Sequence, residues 1–262
     1  MTAPREESVG DATLYLGDCR EILPELLDGS ADMIWTDPPY GHNNNADDLI
    51  GRREAALGLG SVGPLRPIAN DGPQEAEALF RFLLGQAPRL LARGGCCCCC
   101  CGGGGGPDPM FARWATAMDG PLEFKQMIVW DKGPMGLGWH YRRSYETVLV
   151  GQKRGGSCKW HTERSDIENI IRPGMLGRNK IIPTASQHPT EKPVALSAWF
   201  IGLHTLPGET VLDPFFGSGS TAEAALGLGR KFVGIEIDPV YFDMACRRID
   251  LVARQGRLAL EA

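Results

Sequence analysis

The sequence predicts one α/β domain in which a doubly wound, mainly parallel sheet is covered by helices on both faces. Three observations carry that prediction. Short apolar or β-branched runs alternate with amphipathic helical stretches along most of the chain. Two of these runs end in turns too specialised to be plain connections, Thr36-Asp37-Pro38-Pro39-Tyr40 and Asp213-Pro214-Phe215-Phe216-Gly217-Ser218-Gly219. The length of 262 residues suits a single domain, 1–262, with a small insertion, and no internal repeat divides it.

The elements follow in order. Thr13-Leu14-Tyr15-Leu16 alternates as a short strand that Gly17-Asp18 stops, and Arg20 to Leu27 places Ile22, Leu23, Leu26 and Leu27 at helical spacing. Ala31 to Trp35 is the next strand. It must stop at Asp37-Pro38-Pro39, because successive prolines remove backbone donors and fix φ. Residues 41–72 lose all periodicity among Asn, Asp and Gly, which predicts a flexible loop beside the turn. Pro73 to Arg93 forms an amphipathic helix whose stripe is Ala76, Leu79, Phe80, Leu83 and Leu84, with a bend expected at Pro88.

Six of the nine cysteines form the unbroken run Cys96 to Cys101. Neighbouring strand residues face opposite sides of a sheet and zinc sites use spacers, so the run predicts a buried strand, with no metal site and no disulfide framework. Pro107-Asp108-Pro109 opens a helix to about Met118, and Phe124 to Trp130 and Tyr145 to Val150 are strands. The irregular, basic stretch from Gly151 to Gln187 has the composition of an inserted, partner-facing segment, and 133–187 as a whole is the candidate target-recognition segment. A helix from Val194 to His204, strands at Thr210–Asp213 and Lys231–Ile237, a helix through Leu226 and a closing helix from Val240 to about Val252 complete the chain.

Charged residues at 23% and hydrophobic ones at 43% are ordinary for a soluble protein, and no apolar run approaches the roughly eighteen residues of a membrane span. With a polar N-terminus, this predicts a cytoplasmic chain without membrane contact. A net charge of −5 argues mildly against nucleic acid as a partner, yet the stretch from His140 to Lys180 holds nine Lys or Arg against four acidic residues, among them Arg142, Arg143, Arg178 and Lys180.

The first turn offers what an exocyclic amine on a flat heterocycle needs. Asp37 can accept one amine hydrogen, the rigid carbonyl of Pro38 the other, and Tyr40 can stack on the ring, with Pro39 holding the geometry. The second turn is glycine-rich and opens a helix, so backbone amides can approach a ligand, and Glu236 ends the following strand where an acidic residue can accept ribose hydroxyls. It has no Gly-Lys-Ser/Thr and lacks the full Gly-x-Gly-x-x-Gly, which excludes a phosphate loop and a standard NAD site.

These blocks resemble the β-group amino-DNA-methyltransferases, in which the catalytic block precedes the cofactor block. The resemblance rests on Leu16-Gly17-Asp18-Cys19, Asp37-Pro38-Pro39-Tyr40, His188-Pro189-Thr190-Glu191-Lys192-Pro193, the Phe215-Phe216-Gly217-Ser218-Gly219 turn and Gly234-Ile235-Glu236-Ile237-Asp238, and spans most of residues 13 to 250. It implies a Rossmann-like fold in circularly permuted order and S-adenosylmethionine as cofactor. Asp18, Cys19, Thr190, Lys192, Asp213, Phe215, Gly217, Ser218, Gly219, Ser220, Thr221, Glu236 and Ile237 would then form the cofactor site, with Asp18 on the adenine amine and Thr190 and Lys192 near the methionine end.

The implied partner is double-stranded DNA, contacted through 133–187, with Trp139 and Tyr141 as candidates to stack on a flipped base. A homodimer and a paired restriction endonuclease stay open. Asp37, where cytosine-N4 enzymes more often carry Ser, points to adenine N6. A cytosine-N4 enzyme, an RNA base methyltransferase and a non-catalytic DNA-binding subunit are the alternatives.

Overall fold

A computed structural model describes residues 5–41, 68–101, 110–133, 140, 144–176 and 191–255. Among these residues the strands are β1 (Arg5–Val9), β2 (Ala12–Leu16), β3 (Ala31–Thr36), β4 (Leu91–Cys101), β5 (Glu123–Asp131), β6 (Tyr145–Gln152), β7 (Ile170–Ile171), β8 (Thr210–Asp213) and β9 (Lys231–Glu236). The helices are α1 (Cys19–Ile22), α2 (Pro73–Leu90), α3 (Met110–Met118), α4 (Val194–His204), α5 (Ser220–Gly227) and α6 (Pro239–Gln255). The strands form one sheet in the order β1-β2-β9-β8-β3-β4-β6-β5-β7. Its centre, β2-β9-β8-β3-β4, is parallel throughout, and β1, β6 and β5 add antiparallel pairings toward the two edges.

Each face of the sheet has its own core. Leu196, Phe200 and Ile201 of α4, Ala222 and Ala225 of α5 and Phe242, Ala245 and Ile249 of α6 pack on one face. Leu79, Phe80, Leu83 and Leu84 of α2 and Met110, Trp114 and Met118 of α3 pack on the other. The cysteine run is the buried strand expected from it. Alternation sends Cys96, Cys98 and Cys100 into the first core and Cys97, Cys99 and Cys101 into the second. No described helix is long and apolar enough to cross a membrane.

Three boundaries differ from the sequence expectation. The helix expected from Arg20 to Leu27 is α1 alone, followed by a 3-10 turn at Leu23–Glu25. Pro24 has no N–H to extend the α ladder, and Leu27 stays exposed. The helix expected to reach Arg93 ends at Leu90, because Leu91 already pairs with Ala31 in the parallel β3–β4 ladder. β1 carries no apolar alternation to betray it: Arg5, Glu6 and Ser8 are exposed or nearly so on a charged edge strand, held by antiparallel pairing to β2.

Candidate active site

Parallel neighbours deliver all their carboxyl ends to one edge, and the crevice there is where such sheets bind ligands. Here β2, β9, β8 and β3 are consecutive in the sheet. Their ends bring Gly17-Asp18-Cys19, Glu236, Asp213 and Asp37 to a single cleft of about 1100 Å³, open mouth included, which Pro38, Pro39, Tyr40, Lys192, Phe215 and Gly217 also line. Residues that lie up to 219 positions apart in the chain thus share one wall-to-wall site.

The cofactor half is built from the β8–α5 turn and the end of β9. Gly217 (φ 53°) and Gly219 (φ 88°) take left-handed backbone that side-chain-bearing residues avoid. Gly219 does not line the cleft. A Cβ there would sit 3.0 Å from the Ala245 Cβ, so its role is to let the turn press on α6. Glu236 accepts from the amide of Gly217 at 3.0 Å and from that of Asp238 at 2.7 Å, which fixes its carboxylate along the cleft wall. Burial pushes its pKa up to about 7 against the pull of those amides.

Asp213 is 1% exposed and accepts from Thr36 Oγ1 at 2.9 Å and from the Phe215 amide at 3.0 Å. Burial raises its pKa to about 7 as well, opposed by those bonds and by the Thr221 hydroxyl. Asp18 caps α1, accepting from the Arg20 amide at 2.8 Å, and the Arg20 hydrogen bonds hold it below the usual carboxylate range, an ionised acceptor on the cleft wall. Burial lifts the Cys19 thiol to about 12, so it serves as apolar wall. Ile237 and Phe215 add apolar lining, while Ser218, Ser220 and Thr221 add hydroxyls.

These features fit a nucleoside-bearing cofactor with a cationic tail. Glycines allow close approach at the turn, Glu236 offers a carboxylate to paired hydroxyls, and Asp213 offers negative charge that costs little to create once a cation arrives.

The other half of the cleft centres on Asp37. Tyr40 donates its hydroxyl to Oδ1, and Lys192 Nζ lies 2.7 Å from Oδ2. The same ammonium is 3.5 Å from Glu146 and 5.2 Å above the Tyr40 ring, and Lys132 holds the other oxygen of Glu146 at 2.6 Å. Burial raises the Asp37 pKa and Lys192 works against it. Burial also opposes the charge of Lys192, yet Asp37 and Glu146 together more than reverse that and raise its pKa, so it is a fixed cation. Each Asp37 oxygen keeps a lone pair for an amine hydrogen.

Lys192, expected near the methionine end of the cofactor, pairs with the Asp37 carboxylate. Glu146, Glu191, Arg248 and Asp71 are the participants that the sequence reading missed. Glu191 accepts from Ser218 Oγ at 2.9 Å and from Arg248 at 2.9 Å, tying the glycine turn to the segment that carries Lys192. Asp71, at the end of the predicted 41–72 loop, accepts from the Gly41 amide at 2.9 Å and so fastens the chain just after Tyr40. Position in the Glu191-Lys192 motif was a signal for Glu191. Nothing local marked the other three. Thr190, Trp139, Tyr141, Arg142, Arg143, Arg178 and Lys180, with residues 42–67 of the loop, lie outside the described residues.

Comparison with known proteins agrees with this geometry. The chain is 27% identical over 270 residues to the DNA adenine methyltransferase YhdJ of Escherichia coli K12, covering 92% of this chain and 83% of that protein. The crystal structure of the M1.HpyAVI–SAM complex superposes with a TM-score of 0.61 at 27% identity, over 90% of this chain and 99% of that one. The cytosine-N4-specific PvuII DNA methyltransferase shares the fold, with a TM-score of 0.67 at 17% identity over 95% and 93% of the two chains. Across the family the cofactor is S-adenosylmethionine, the group that the cleft fits. A family profile described as DNA methylase, N6_N4_Mtase, matches residues 31–247, and the chain belongs to that family.

Proposed function

We propose that this enzyme methylates adenine N6 in double-stranded DNA, on a base flipped out of the helix. The observation that carries the reading is the Asp37 carboxylate, held between Tyr40 and Lys192 in the cleft that Glu236 and Asp213 line. When bound, the cofactor supplies an electrophilic methyl group. The residues of the chain orient the acceptor: Asp37 and the Pro38 carbonyl each take one amine hydrogen, which favours a pyramidal nitrogen with its lone pair free to attack in line. No enzyme nucleophile is required. The target must leave the duplex to reach this depth, and Tyr40 is the stacking platform proposed for it, backed by Trp114 at 6.3 Å. Residues 133–187 are proposed to read the target sequence.

Adenine is preferred over cytosine because Asp37 stands where a serine is the commoner choice in cytosine-N4 enzymes, and because YhdJ is named an adenine methyltransferase. Mass spectrometry of nucleosides from DNA methylated by the purified enzyme tests this. N6-methyl-2′-deoxyadenosine is expected; N4-methyl-2′-deoxycytidine in its place would overturn the base assignment and leave the site chemistry standing.

Cofactor affinity should depend on pH in a defined direction. Glu236 has a pKa of about 7 in the free enzyme, and ribose hydroxyls donating to it favour the ionised form, so its pKa falls on binding. Binding therefore releases a proton near neutrality. Affinity is full above pH about 7 and weakens as pH falls through that value. Glu236→Ala should weaken binding by about 1 to 3 kcal/mol and reduce the proton release. Calorimetry in buffers of different ionisation enthalpy reads both; unchanged affinity in the variant would refute the ribose role.

A further inference from the structure

The cysteine run holds more than packing residues. Cys96 and Cys98 are two apart on β4 and so point to the same face, where the sulfurs and a ring nitrogen of His204 all lie within 4.8 Å of one another. All three side chains are buried. Cys158, in the connection after β6, brings a fourth donor: its Sγ is 3.8 Å from His204 Nδ1. The four residues come from β4, from an irregular segment and from the last turn of α4, so only the fold unites them. They lie on the face opposite Cys97, Cys99 and Cys101, which have no such neighbours among the described residues.

We propose that Cys96, Cys98, Cys158 and His204 bind one thiophilic metal ion of the zinc(II) class as a closed structural site. In a tetrahedral zinc site, bonds of about 2.3 Å to sulfur and about 2.0 Å to nitrogen put the donor atoms roughly 3.5 to 3.8 Å apart. The Cys158–His204 separation of 3.8 Å is already close to these values, the Cys96, Cys98 and His204 donors must draw in from within 4.8 Å of one another, and Cys158 must turn toward the two strand sulfurs to close the set. Binding converts three neutral thiols to thiolates, releases three protons to solvent and leaves a complex of net charge −1. Nδ1 of His204 lies 3.1 Å from the Lys159 carbonyl, a contact that ligation through Nδ1 would replace.

The surrounding segment is already drawn to this place. Lys159 Nζ pairs with Asp32 at 2.7 Å and with Glu209, and the His161 amide bonds to the Leu203 carbonyl at 2.8 Å. A metal would complete that attachment, clamping the basic segment after β6 to the sheet and to α4. Four protein donors leave no open position, so the site stabilises the fold and does no chemistry on substrate.

The test uses the full chain, purified under reducing conditions after expression with zinc, and again after exchange with cobalt(II). Elemental analysis should find one zinc per chain. The cobalt form should show thiolate-to-metal charge-transfer bands and intense tetrahedral d–d bands. Cys158→Ser and His204→Gln, at the rim of the cluster, should each weaken cobalt affinity beyond the roughly ten- to hundredfold that loss of an outer-sphere partner costs. Cys97→Ala, on the opposite face, should retain the metal and its spectrum. Chelation should lower the melting temperature of the parent chain and leave that of His204→Gln unchanged.

Absence of bound zinc together with absence of cobalt charge transfer overturns the proposal. So does a cobalt spectrum indifferent to Cys158→Ser and His204→Gln. Loss of two titratable thiols in the unreduced, unfolded chain, without metal, restored when Cys158 is replaced by Ser only to the count of the other cysteines, would show a disulfide through Cys158 in its stead.

Discussion

Asp37→Ala should lower the turnover of DNA methylation by about 10²- to 10³-fold while cofactor affinity stays within about tenfold of the parent. The asymmetry follows from where the carboxylate points. Asp37 is held by Tyr40 and Lys192 and bonds to none of the residues of the glycine turn, whereas Glu236 and Asp213 carry the bonds to that turn. Truncation removes the acceptor for one amine hydrogen and leaves the Lys192 ammonium without its nearest counterion. Asp37→Asn separates these effects, because its amide oxygen still accepts while the charge is gone. Single-turnover rates with calorimetric affinities measure both quantities. Equal losses in the two would mean that Asp37 serves the cofactor.

Lys192→Met keeps the length and apolar stem of the side chain and deletes its charge. Lys192 is the group that works hardest against burial to keep Asp37 ionised. Without it the Asp37 pKa rises further. Activity that requires the carboxylate is present above that pKa and lost as pH falls through it, so the acid limb of the turnover profile should move to higher pH. At neutral pH the variant is slower, and raising the pH restores part of the loss. Stability should fall by up to about 3 kcal/mol, the lower end for a broken buried pair, since Asp37 keeps 23% of its side chain exposed and can take up a proton. An acid limb that does not move would show that Lys192 has no part in holding the charge of Asp37.

The central architecture was legible because local signals and tertiary demands coincide there. β3 had to end at Pro38-Pro39, β8 had to end at the Gly217–Gly219 turn, and both endings place chemistry at the carboxyl edge of a parallel sheet. Boundaries failed where one residue outweighed the periodicity, as at Pro24, or where ladder pairing captured Leu91 from the end of α2. The edge strand β1 was silent because an exposed, charged strand has no apolar pattern to display.

In the site, most of the described residues expected to bind cofactor or target line the cleft, whereas Gly219 packs on α6. The ion-pair arrangement was not legible. Glu146 lies on β6, 109 positions from Asp37, and its approach to Lys192 depends on the β4–β6 register that pairs Thr147 with Cys101. The Cys158–His204 approach is hidden for the same reason. Spacing along the run argued against a metal, while the third and fourth donors come from elsewhere in the chain.

Transfer of labelled methyl from S-adenosylmethionine tests the central reading most directly. Purified enzyme is offered duplex DNA and, separately, folded RNA of matched length, with Asp37→Ala as the control. Label should enter the duplex DNA, stay with the nucleosides after digestion, and be absent from both the RNA and the Asp37→Ala reaction. Label in RNA alone, or in DNA at the same rate with Asp37→Ala, would contradict a DNA amino-methyltransferase that works through Asp37.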